Sequence, residues 1–103
     1  MDEITNKRNQ LIVRIWNSFC FNFPDYKVIV RYLCNKTNQG YLVPHLETKF
    51  VAACNQYGSH AAMNVFYSKI DKQLREELVD FSIRVYAAKS MYLSDEEKKL
   101  VRI

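Results

Sequence analysis

From Asp71 onward, apolar side chains fall at Leu74, Leu78, Phe81, Val85, Ala88 and Tyr92, in alternating steps of four and three. That spacing returns to one side of a helix turn after turn, so the stretch buries a continuous face only as a helix. Val79, Ile83 and Tyr86 widen the stripe, and a widened stripe has to meet neighbours on two sides. Asp71 is placed to cap the start. The pairs Asp71–Arg75 and Asp80–Arg84 each put the acid four residues ahead of the base, the favourable order on a helix surface.

The rest of the C-terminal part follows the same logic. Leu46, Phe50, Ala53, Cys54 and Tyr57 mark a helix whose first turn tolerates Pro44. Gly58 suits the residue just past its end, and Ser59 is expected to cap the next helix, where Met63, Phe66, Tyr67 and Ile70 form a short apolar stripe. Ser94-Asp95-Glu96-Glu97 is a capping-box pattern that opens a short helix running towards Ile103.

The N-terminal part carries conflicting signals. Ile4, Leu11, Ile12, Ile15, Trp16 and Phe19 fit a helix, as do Tyr26, Ile29, Val30 and Leu33. Against this stand the β-branched run Val28-Ile29-Val30 and the strict alternation Phe19-Cys20-Phe21-Asn22-Phe23. A chain reversal at Pro24-Asp25 would pair Phe23 with Tyr26, Phe21 with Val28 and Phe19 with Val30 on one face. A second reversal at Lys36–Gly40 would bring Tyr41-Leu42-Val43 alongside as an edge strand. The expected fold is therefore one α+β domain over residues 1–103, with an antiparallel hairpin or three-stranded meander at about 11–43. Three to four helices would follow over about 44–103. An all-α bundle is the alternative.

With 103 residues, 49% of them apolar and fourteen of them aromatic, the chain is long enough for one core and too short for two. Only two glycines and two prolines are present, which leaves no glycine-rich phosphate loop. The net charge is +4, and the whole surplus lies before residue 70. Such a balance is compatible with an anionic partner and does not demand one. Cys20, Cys34 and Cys54 are odd in number, without a CxxC pair, and sit among apolar neighbours. They read as buried thiols of a reducing, cytoplasmic compartment. The opening segment lacks the apolar stretch of a secretory signal, and no run approaches a membrane span, so no membrane partner is expected.

Four groupings of residues bear on chemistry. Cys34, His45, Cys54 and His60 are soft or borderline ligands, but their spacing places no two on one local turn, so no metal is expected. Cys54 with His60 is a poor nucleophile–base pair, because Cys54 falls near a helix C-terminus, where the dipole opposes a thiolate. The acids Glu76, Glu77 and Asp80 are interleaved with bases, as on a solvated helix face. These points argue against an enzyme and against a cofactor. The fourth grouping is a sheet face carrying Arg14, Trp16, Lys27 and Arg31, which could track phosphates and stack a base.

The segment 35–45 is the last candidate, with Tyr41, Leu42 and His45 as protein-binding residues on a loop or edge strand. The functional expectation is a small cytosolic, non-catalytic interaction protein acting through aromatic-rich contacts, with homodimerisation through the Tyr41–Val43 edge as one route. The alternative is a small DNA- or RNA-binding accessory protein using the basic and aromatic sheet face.

Overall fold

In the computed structural model, which describes residues 2–22 and 25–103, helix α1 spans Glu3–Asn22 and α2 spans Tyr26–Lys36. A 3₁₀ turn at Gly40–Leu42 leads directly into α3, Val43–Tyr57. Helix α4 covers Ser59–Lys69 and α5 covers Lys72–Phe81. The same rod continues through a π-helical turn at Ser82–Ala87 into the short α6, Ala88–Ser90, and α7 follows at Asp95–Val101. All regular elements among the described residues are helical.

The expected α+β fold is thus overturned: no hairpin, meander or sheet forms among the described residues of 11–43, and the all-helical alternative is the arrangement adopted. The reason lies in which side chains find the core. Leu11, Ile15 and Phe19 are buried at steps of four along α1, as are Ile29, Val30, Leu33 and Cys34 along α2. The supposed cross-strand partners Phe21 and Val28 both lie outside the core. Phe21 stacks instead on His60, ring centroids 4.2 Å apart. Packing on helical faces outweighed the β preference of Val28-Ile29-Val30, because strand propensity mostly reports how well a side chain fits a sheet surface. Of the proposed turn, Phe23 and Pro24 lie outside the described residues, while Asp25 caps α2 by accepting from the Val28 amide at 3.3 Å. The reversal expected at Lys36–Gly40 is present, with Asn38 at φ 57°. It leads into the 3₁₀ turn and α3, so no edge strand Tyr41–Val43 exists.

Helix α1 packs against α4, α7 and the π turn, while α2 lies between α3 and α5. Phe19 sits at the centre, its ring 5.8 Å from Phe81, 5.6 Å from Tyr86 and 5.8 Å from Trp16. Phe50 of α3 meets Phe66 of α4 at 4.7 Å. The three cysteines are thiols, with Cys20 and Cys34 buried and Cys54 half-buried.

Several local expectations are met. Asp71 caps α5 through the Leu74 amide at 2.9 Å, Ser94 and Glu97 form a reciprocal capping box, and Arg84 pairs with Asp80. Pro44 occupies the first turn of α3, and Gly58 ends that helix at φ 82°. Two expectations fail. Gly58 itself precedes α4 without a side-chain cap, and Ser59 is already helical. Arg75 donates to the Ile70 and Ser68 carbonyls, where Asp71–Arg75 had been expected to pair.

The α5–α6 rod departs from its sequence period at the π turn. A wider turn lets positions five apart share a face. After Phe81 the buried face therefore continues through Tyr86, and after Ser82 through Ala87. Of the expected stripe, Val85 stays partly buried against the core, Ala88 is exposed, and Tyr92, beyond the end of α6 at Ser90, is 92% exposed.

Candidate functional site

Without a sheet, the basic and aromatic face does not form: Arg14 and Trp16 go to different neighbours of α1, while Lys27 and Arg31 stay together on α2 beside Glu47. Arg14, on α1, donates from Nη2 to Glu97 Oε2 of α7 at 2.6 Å. Trp16 is half-buried against α4: its Nε1–H donates to Asn64 Oδ1 at 3.2 Å, and its ring meets Tyr67 edge-on at 5.1 Å. Lys27 and Arg31 lie on α2, where Arg31 Nε stands 3.5 Å from Glu47 Oε1 of α3. Both arginines are committed to carboxylates, and the tryptophan is engaged by a neighbouring helix.

The residues of segment 35–45 fare differently. Tyr41 stands 77% exposed on the 3₁₀ turn, and Leu42 and His45 line a hollow of about 300 Å³ beside it. The 3₁₀ turn, α3, α4 and the start of α5 enclose this hollow. Its floor comes from the buried Leu46, Phe66, Ile70 and Leu74, and its walls include Leu42, Ala53 and Val65. His45, Lys49 and Lys69 add nitrogen-bearing groups, and Asp71 is the single carboxylate. One Asp71 oxygen is engaged by the Leu74 amide as the cap of α5.

Local sequence explains the shape. His45, Lys49 and Ala53 follow one another at steps of four, so α3 presents them along one line. The small Ala53 leaves space between α3 and α4 that a larger residue would fill. The break at Ile70–Asp71 turns the chain from α4 into α5, and the apolar side chains on either side of the turn form the floor. Leu42 and His45 are legible in segment 35–45, and the step of four from His45 points to Lys49, whereas Val65 and Lys69 join the hollow only through the packing of α4 on α3.

Four other surface hollows differ in lining. The one between α1 and α7 includes Glu96 and Glu97, the one between α2 and α3 includes Glu47, and the one beside Tyr67 includes Glu76. A fourth, of about 290 Å³, is lined by Ile12, Val13, Trp16, Asn64, Tyr67 and Val79 and holds no charged group.

The residues weighed as metal ligands or nucleophiles do not converge. Cys34 is buried within α2, His45 lines the hollow, and His60 stacks on Phe21. Among the described residues no group of three or more His, Cys, Asp or Glu is placed to hold a metal ion. Burial pushes the Cys54 thiol up, and that of Cys34 too, with the charge of Glu47 adding to the latter. Cys20, fully buried, is pushed up to about 12 by desolvation. Each therefore favours the thiol over the thiolate. No described helix is long and apolar enough to cross a membrane.

No protein-family model, curated protein or solved structure matches this chain.

Proposed function

We propose that this chain is a non-catalytic helical interaction protein that receives an apolar side chain of a protein partner in the hollow between the 3₁₀ turn, α3, α4 and α5. The observation that carries this reading is the hollow itself: about 300 Å³ with a floor of four buried apolar residues and Tyr41 exposed on the adjoining turn. A concave apolar site with a few polar groups at its edge is the usual form of a pocket for an anchor residue. Tyrosine is well suited to such an edge, since its ring gains on burial and its hydroxyl tolerates water. The three thiols suit a reducing, cytoplasmic setting.

The reading is tested by selecting random displayed peptides on the immobilised protein and measuring the enriched sequences against Ala53→Trp, which fills the hollow. Circular dichroism establishes that the variant folds. The expected result is enriched peptides with a bulky apolar residue whose binding drops at least tenfold in Ala53→Trp and also falls in Tyr41→Ala. Peptides that bind the filled variant as well as the native protein would overturn it.

A further inference from the structure

We infer that the partner segment is acidic: a short amphipathic peptide whose apolar anchor is flanked by carboxylates. This deepens the interaction reading above and rests on it. Lys49 approaches the hollow from α3 and Lys69 from the last turn of α4, and neither forms an ion pair among the described residues. Asp71, the single acid of the lining, holds the Leu74 amide with one oxygen and offsets only one of the two lysines. The Arg14, Arg31 and Arg84 cations are each matched by a carboxylate, the hollows between α1 and α7 and between α2 and α3 balance their cations with glutamates, and the hollow beside Tyr67 has an excess of one cation but no buried apolar floor. The hollow at α3–α5 thus combines a buried apolar floor with a margin of two lysines against one carboxylate.

An apolar anchor bearing neighbouring carboxylates would satisfy both parts at once. Floor contacts would supply retention, and the lysines would speed encounter and exclude basic competitors. A nucleic-acid strand fits less well, since its phosphates need a continuous basic track, and the floor between these lysines is apolar. A membrane surface would be met by a broad face and not by a hollow of this size.

Three fluorescein-labelled peptides test the assignment. All are fourteen residues long, with Leu, Phe and Leu on one helical face; the other positions are filled with Glu, with Gln or with Lys. Anisotropy titrations are run at about 50 and about 200 mM salt against the native protein, Lys49→Glu/Lys69→Glu and Ala53→Trp. Native protein is expected to bind the Glu peptide about tenfold more tightly than the Gln peptide at low salt, with the gap closing at higher salt. The double reversal should shift preference to the Lys peptide, and Ala53→Trp should weaken all binding.

Equal binding of the Glu and Gln peptides, unchanged by the double reversal but lost in Ala53→Trp, would overturn the acidic partner and leave the apolar pocket standing. Absence of binding by all three would overturn both. Phosphatidylserine vesicles form a fourth arm. Binding to them that depends on Lys49 and Lys69, without peptide binding, would assign the margin to a lipid surface and overturn the peptide.

Discussion

Cys20 shows how one side chain carries both a packing role and a testable chemistry. It lies fully buried on α1, next to Phe19, and desolvation holds its thiol at about 12. A thiol so far above neutral pH presents almost no thiolate, and the surrounding core blocks access as well. Cys34 is equally buried, whereas Cys54 is half-buried on α3. A chromogenic disulfide reagent at pH 8 is expected to label Cys54 first and slowly. Cys20 and Cys34 should label only at the rate of global opening, with all three titrating at once in denaturant. Rapid labelling of two or more thiols in the native state would contradict this core. At the same scale, Tyr32 is pushed up to about 12, first by burial and then by its hydrogen bond to Asp80 at 3.1 Å. Its folded value exceeds its unfolded one, so its contribution is complete below about pH 10 and is lost as pH rises through about 12.

At the scale of elements, the π turn at Ser82–Ala87 decides what the α5–α6 rod presents to the core. Without it, Val85 and Ala88 would continue the stripe from Phe81; with it, Tyr86 and Ala87 are buried, Val85 is partly so and Ala88 is exposed. Tyr86 then reaches Ser18 of α1, hydroxyl to hydroxyl at 2.7 Å, and lies against Phe19. A π turn behaves as one residue inserted into an α-helix. Deleting the exposed Arg84 is therefore expected to close the turn to ordinary α geometry while keeping Tyr86 on the buried face. The cost should be the surface pair with Asp80, a drop of a few degrees in Tm. Deleting Glu76 from the regular part of α5 should instead rotate everything beyond it by about 100° and abolish cooperative unfolding. Thermal melts of the two deletions decide the matter; equal damage from both would show that the π turn is not an absorbed insertion. A similar logic applies at α7, where Ser94→Ala should cost about 1 kcal/mol by removing its half of the capping box.

At the scale of the molecule, the radius of gyration is 14.1 Å and the extents are 40 × 28 × 27 Å. A globular chain of this length would have a radius near 12.8 Å. The excess has an identifiable source, since residues 2–10 are all exposed and α1 begins at Glu3. The first turn of α1 contributes nothing to the core, and in the second only Lys7 and Gln10 border the hollow shared with α7. Removing residues 2–8 is expected to lower the scattering radius and to change unfolding stability by no more than about 0.5 kcal/mol in urea titrations. A loss above about 2 kcal/mol would mean that those turns pack. What could be read before any fold was known divides along a physical line. Caps and breaks were legible because each is a local event: Asp71, Ser94 with Glu97, Pro44 and Gly58 act on backbone groups within a few residues. Helical stripes in α3 to α5 were legible because period alone specifies them. The state of residues 11–43 was not, since Phe19-Cys20-Phe21 and Val28-Ile29-Val30 satisfy either period locally. Only the arrival of α4, α5 and α7 selects the helical faces. The candidate site was half legible for the same reason. Leu42 and His45 are near neighbours in the chain, whereas Lys69 and Leu74 join them only through the α4–α5 turn. Sequence determined where helices start, stop and show an apolar side; tertiary packing decided which of two periods the N-terminal part obeys and where a hollow is left. Short-range hydrogen bonds suffice for the first, and burial against distant residues is required for the second.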